Sequence, residues 1–301
     1  MSLLVLGTVA LDDIQTSNGV KQDLLGGSAS HFAMSASLFS EVHLVGVVGK
    51  DFPKRHFKLF DLKRINVESV QIKEGKTFHW VGQYDARDWN RAVTLETQLG
   101  VLDGYEPCIT EEQARMKYVF LANDDPEVQM TLLKKMKKPR FVGMDSMNLW
   151  IELKKDALLR LIKCVDLFVA NDSEAKMLTG ELNLIKAARE LRKLGPRFVV
   201  IKKGEHGVIF FCDRFLFSFP AYPIDRVIDP TGAGDTFAGG LMGYLARTGT
   251  LTCDNFKRAC LYGTTCSSFN VEGYGVSKTA PLTLADVHAR LRKLDKFIKP
   301  V

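Results

Sequence analysis

The sequence predicts an α/β fold: a three-layer body with a parallel central sheet covered on both faces by helices, and a small β lid attached to it. Three observations carry this. From Tyr118 onward, short apolar runs alternate with segments of helical period. The apolar runs are near-continuous, as strands buried on both faces require. A segment of period-2 character, rich in aromatic residues, interrupts the N-terminal half.

Taken in order, "LLVLG" at the start and "VHLVGVVG" further on read as buried strands of the sheet. "TFHWVGQYDARDWNRAVTLE" has strand character, with Phe78, Trp80 and Tyr84 on one face. It sits between core elements, so residues of about 12–25 and 77–99 are expected to form the lid. Next come the strand "YVFLAN", the helix "PEVQMTLLKKM", the strand "RFVGMD" and the helix "ELKKDALLRLIKCV". The strand "DLFVAN", helical segments through "LIKAARELRKLG" and the strand "RFVVIKKG" complete the alternation. "GVIFFCDRFLFSFPA" predicts an antiparallel hairpin turning at Asp213–Arg214. With no repeat and no low-complexity linker, residues 1–301 read as one domain.

Composition narrows the function. The chain has 301 residues, 46% hydrophobic and 25% charged, enough for a substantial core. No run approaches the roughly 20 apolar residues of a membrane span, and the apolar N-terminus lacks the basic region of a secretory signal. The six cysteines form no C-x-x-C pair and have no histidine clustered near them, which argues against zinc and for reduced thiols in the cytoplasm. The net charge of +6 rests largely on helical stretches such as "LLKKMKKPR" and comes with no nucleic-acid-binding motif. Phosphorylated ligands are the simpler partners for it.

Several strands end in polar residues: Asn123-Asp124, Asp145, Asn171, and Lys203-Gly204. Ligands of open parallel sheets bind outside the carboxyl ends of the strands. Helix capping accounts for about half of these residues. It accounts less easily for Asn171, since Ser173 could cap the following helix.

The most specific stretch is "DPTGAGDTFAGGLMGYLA", from Asp229. Pro230 and the glycines make a tight loop, and a helix follows from about Asp235. A helix N-terminus offers unpaired amides and partial positive charge, hence an anion site. Gly232 and Gly234 let the backbone approach a phosphate without a Cβ in the way. A turn with a favourable first-turn acid is the plainer alternative. There is no Walker A loop, no protein-kinase H-R-D or D-F-G set and no dinucleotide fingerprint.

"DPTGAGDTFAGG" resembles the C-terminal signature of the ribokinase-like, or PfkB-type, carbohydrate kinases. "GTVALDD", "LLGGSASHFA", "VGVVGKD", "VANDSEA" and "IKKGEHGV" follow the family's order, so the resemblance spans about Leu3 to Gly275. It implies a ribokinase-like Rossmann-type body with a β lid, and ATP-dependent transfer of the γ-phosphate to a hydroxyl of a sugar. "LANDDPE" also resembles adenosine-kinase-like members, so a nucleoside acceptor is the alternative. A catalytically silent metabolite-binding relative is the third reading.

The resemblance assigns Asp235 as the base that takes the acceptor's proton, with the amides of Gly232, Ala233 and Gly234 as the anion hole. The loose transition state of phosphoryl transfer needs charge stabilisation more than a strong base. Asn171 and Glu174 match the N-x-x-E pattern that handles Mg2+ and phosphate, largely through water. Lys202, Gly204, Thr231 and Gly234 fall where the nucleotide passes, although lysines at a strand end are commonly solvated. Asp229 resembles the acid beside a monovalent cation such as K+, and a loop carboxylate satisfying nearby amides explains it almost equally well.

On the acceptor side, Asp12 matches an acid that grips sugar hydroxyls, and Gly26 and Gly27 match the substrate loop. Many sugar kinases of the family carry Asn where this chain has His31, which is either a hydroxyl ligand or a packing residue. Trp80 and its neighbours could close over a sugar, stack on a base, or pack in the lid or a dimer interface. Lid strands pair between subunits in some members, so a homodimer through the lid is open.

Overall fold

The computed structural model describes residues 1–85, 87–212 and 215–298, apart from the side chain of Arg91. β1 (Leu3–Leu6) shows why the core strands read as unbroken apolar runs. Leu3 and Val5 enter one hydrophobic core, and Leu4 and Leu6 enter another on the opposite face. A strand covered on both sides has no polar face to alternate with.

The chain leaves β1 for β2 (Ala10–Thr16) and β3 (Gly19–Gly26), then forms α1 (Ser28–Ala36), β4 (Val42–Gly49), α2 (Lys54–Leu62) and β5 (Ile65–Lys73). β6 (His79–Asp85) and β7 (Asp88–Gln98) form a hairpin. The alternating half then runs β8 (Tyr118–Leu121), α3 (Pro126–Lys135), β9 (Phe141–Asp145), α4 (Asn148–Leu153), α5 (Lys155–Ile162) and β10 (Leu167–Asn171). After it come α6 (Asp172–Thr179), α7 (Leu184–Lys193), β11 (Phe198–Lys202), β12 (Val208–Phe211) and β13 (Leu216–Phe219). Three helices close the chain: α8 (Ala233–Thr248), α9 (Cys253–Asn270) and α10 (Leu284–Ile298).

The main sheet has nine strands in the order β13-β12-β11-β10-β9-β8-β1-β4-β5. It is parallel from β11 to β5, and β12 and β13 add an antiparallel edge. Residues of α1, α2, α8 and α9 pack on one face, and residues of α3, α5, α6 and α7 on the other. The chain reverses its direction of travel across the sheet at β1, which lies between β4 and β8. That is a switch point, where the carboxyl ends of the strands open a crevice.

A second sheet of four strands, β3-β2-β6-β7, uses residues 10–26 and 79–98. Its register places Asp12 beside Trp80 on parallel strands. β3 carries a register shift opposite Asp13, where Asp23 takes φ 51 and its amide donates to Asp13 Oδ1 at 2.9 Å.

Three details differ from the sequence reading. The single helix expected over "ELKKDALLRLIKCV" is two, broken at Lys154 (φ −135, ψ 37), whose ammonium binds Asp125 and Glu127 at the start of α3. β5 carried no apolar signature, because its burial pattern is mixed. The β12–β13 hairpin forms, while the turn expected at Asp213–Arg214 lies outside the described residues.

Candidate active site

α8 starts in an unusual way. Its N-cap is Gly232 at φ 72, with no side-chain cap, so the first-turn amides are left to other partners. A side chain at position 232 would also have no room: an added Cβ would lie 2.2 Å from Cγ of His31. The Ala233 amide donates to the Pro230 carbonyl at 3.1 Å. Among the described residues, the Gly232 and Gly234 amides have no backbone or side-chain acceptor, which leaves them for an anion.

The loop before the helix is braced on three sides. Thr231 donates its amide to Asp229 Oδ1 at 2.9 Å, accepts from Asn270 Nδ2 at its carbonyl at 2.7 Å, and donates its hydroxyl to the Tyr84 oxygen at 3.2 Å. Asp229 is fully buried, and its Oδ2 accepts the Gly275 amide at 2.9 Å. Both oxygens of Asp229 therefore already hold amides.

Asp235 stands in the first turn of α8. Burial pushes its carboxyl up to about 6, and the charge of Lys202 pulls the other way. Lys202 ends β11 and extends over the loop, its ammonium 2.6 Å from where a Cβ on Gly234 would be. Lys202 is half-buried and reaches the loop, as a place beside the nucleotide requires.

The strand ends on the same edge add more carboxylates. Asp145 closes β9, is 2% exposed, and has Oδ1 without a hydrogen-bond partner. Burial raises its carboxyl, Asp235 adds to that, and Lys202 opposes it. Asn171 and Glu174 form a capping box: Asn171 Oδ1 accepts the Glu174 amide at 2.8 Å, and Glu174 Oε2 accepts the Asn171 amide at 2.7 Å. Asn171, not Ser173, thus caps α6. Asn171 Nδ2 also donates to Glu174 Oε1 at 2.7 Å. Burial lifts the Glu174 carboxyl to about 7 against the pull of Lys202.

Asp12, on β2, is buried against Gly26, where a Cβ would fall 1.9 Å from its Oδ2. Burial raises its carboxyl to about 8, Asp229 adds to the rise, and the Gly27 amide opposes it. His31 lies on α1, buried, with Nδ1 3.2 Å from Asn270 Oδ1. Because Asn270 spends its amide nitrogen on Thr231, its oxygen is the acceptor, which assigns the proton to His31 Nδ1. Nε2 then carries the lone pair and has no partner. Burial holds the ring neutral, down to about 4.

Trp80 is partly exposed. Its indole lies over Gly82, and Nε1 donates to Thr94 Oγ1 at 3.1 Å. Gly204 sits at the end of β11 under the tip of the β6–β7 hairpin, where Asn90 fills the space above it and donates to Glu205 Oε2 at 2.5 Å.

Asp235, Lys202, Asp145, Glu174, Asp229, Asp12 and Tyr84 thus share one electrostatic neighbourhood. Sequence reasoning passes over Asn270, gives no site role to Asp145, and leaves Tyr84 with Trp80 open between covering a sugar, stacking on a base and packing. The signal for Tyr84 was its period-2 spacing with Trp80. Asp145 was marked by its place at a strand end. Asn270, inside a helical run, had none.

Amides free for an anion, a cation above them and an acid on the first turn are the requirements of phosphoryl transfer to a hydroxyl. The arrangement suits a small-molecule kinase. The model of the pfkB family carbohydrate kinases matches residues 8–282, and the chain belongs to that family. It is 34% identical over 252 residues to a cytidine kinase of Thermococcus kodakarensis, across 81% of this chain and 88% of that one. It is 26% identical to a ribokinase of Lactococcus lactis over 97% of both chains. The crystal structure of the Methanocaldococcus jannaschii nucleoside kinase superposes with a TM-score of 0.78, covering 97% of this chain and 98% of that one at 22% identity. The protein is thus an ATP-dependent phosphotransferase with an alcohol group as acceptor.

Proposed function

We propose that the protein transfers the γ-phosphate of ATP to the hydroxymethyl group of a nucleoside. The observation that carries this is the pairing of Asp12 with Trp80 on adjacent strands. A carboxyl that can grip ribose hydroxyls has a partly exposed indole at its side, suited to stack on a base. The cytidine kinase relative supports the same reading. Free ribose is the second reading, supported by the ribokinase relative.

In this reading the small sheet is the lid. Asp12 and the loop at Gly26 and Gly27 hold the sugar with its hydroxymethyl toward Asp235, which takes the proton as the O–P bond forms. Gly232 and Gly234 donate to the transferring phosphoryl group, and Lys202 lies beside it. Thr231, Gly204, Asn171 and Glu174 line the donor side. Asn171 and Glu174 bind each other through the capping box, so they would reach Mg2+ only through water, and the unpartnered Oδ1 of Asp145 is the oxygen left for the hydrated ion. When bound, the ion neutralises charge on the phosphates. K+ would find both oxygens of Asp229 taken by amides, and Asp229 serves as the brace of the loop.

A cytoplasmic setting supplies ATP and suits the free cysteines. No helix among the described residues is long and apolar enough to cross a membrane. Val20, Val93 and Leu95, each half or more exposed on the lid, suit a homodimer contact.

The test is ADP release over cytidine, adenosine, inosine, ribose and hexoses. Asp235→Asn should fold normally and lose about 10²- to 10⁴-fold in turnover. Near-normal turnover in that variant would remove Asp235 from its role. A preference for hexoses over all nucleosides would remove the acceptor assignment.

A further inference from the structure

Tyr84 connects the lid to the chemistry in a way that packing does not explain. Trp80, Gly82 and Tyr84 alternate along β6, and the register sets Trp80 beside Asp12. The three residues therefore face the same side of the sheet as the sugar-gripping carboxyl. From there the Tyr84 oxygen accepts the hydroxyl of Thr231, the residue just before Gly232 of the amide loop. The phenol's own proton is not spent on Thr231. Burial holds the phenol far above its usual range, the bond from Thr231 opposes this, and the charges of Asp229, Asp12 and Asp235 add to the rise. The phenol stays a neutral O–H donor at any pH the protein meets.

We propose that Tyr84 is a further donor of the anion hole, supplied by the lid. Its hydroxyl hydrogen-bonds the phosphoryl group as that group leaves ADP and bonds to the acceptor oxygen, whose proton passes to Asp235. Thr231 aims the phenol, and the amides of Gly232 and Gly234 approach the phosphoryl group from the α8 side. A neutral donor suits this position, because it can bond the phosphoryl oxygens without forming an ion pair with Asp12, Asp229 or Asp235. The anion hole is complete only while β6 lies over the loop, so closure of the lid and stabilisation of the transition state become one event.

This inference rests on the kinase reading of the site, and the experiment separates the two. Wild type and Tyr84→Phe are compared with ATP and cytidine, adenosine, inosine or ribose. Binding of ADP with magnesium and aluminium fluoride, a mimic of the transferring group, is measured alongside. The expected result is a loss of about 100-fold in kcat, the size of one preorganised donor. KM for both substrates should change less than about threefold. Affinity for the mimic should fall with kcat, while that for ADP alone and the melting midpoint stay put. A phenol that only packs would raise KM or lower the midpoint and leave the mimic's relative affinity intact; that pattern, or an unimpaired kcat, overturns the inference. No transfer by the wild type to any of the acceptors would overturn the acceptor assignment and this inference with it.

Discussion

At Asp235 two influences oppose each other: burial raises the carboxyl toward about 6, and Lys202 holds it from rising further. The acid must be ionised to take a proton, so the raised value places its loss within a measurable range. A kcat profile should fall about tenfold per pH unit below roughly 6, and the limb should vanish in Asp235→Asn. A flat profile down to pH 4.5 would show that another step limits turnover. The sequence exposed this residue because its partners sit next to it in the chain: loop, amides and acid are all within Asp229–Asp235. Lys202, Asp145, Asn270 and Tyr84 meet the site only through tertiary structure, so their spacing along the chain says little about their role. Asn171 taught the opposite lesson. The sequence offers Ser173 as the readier cap, yet Asn171 is the cap, with Glu174 completing the box. Capping here orders the two groups assigned to the hydrated cation, so the local and functional roles coexist.

α8 links the loop to the core through small residues. An added Cβ on Gly239 would lie 2.2 Å from the carbonyl oxygen of Phe32 on α1, and one on Gly243 would lie 2.9 Å from Ala36 Cα. The second half of "GAGDTFAGGLMG" therefore serves helix approach, while the first serves the anion. Gly239→Ala should cost about 1–3 kcal/mol, only partly offset by the better helix propensity of alanine. A urea denaturation midpoint unchanged from wild type would contradict this close approach. Periodicity identified the core strands and the helices between them. It failed where burial is mixed, as in β5, and where a helix breaks for a reason outside itself, as at Lys154.

For the whole molecule, the layered body was legible because strands covered on both faces leave an unbroken apolar record, and the lid because its aromatics alternate. The order of strands across the sheet was not, since no local pattern encodes which strand lies beside β1. The exposed apolar side chains of the lid carry a prediction of assembly. Sedimentation should give twice the 33.7 kDa chain mass, and Val93→Lys should shift the protein toward that single mass; a wild type that sediments at one chain mass would remove the interface. The contact between His31 and Gly232 has a further consequence. In the proposed reading His31 serves the acceptor side, and its ring also lies against Gly232 of the phosphate loop, with Asn270 tying it to Thr231. Selectivity and rate are therefore not separately adjustable here. An engineer who exchanges His31 to admit a different acceptor will also tilt the loop that performs the transfer, and recovering a fast enzyme will require compensating changes at positions 231, 232 and 270 together.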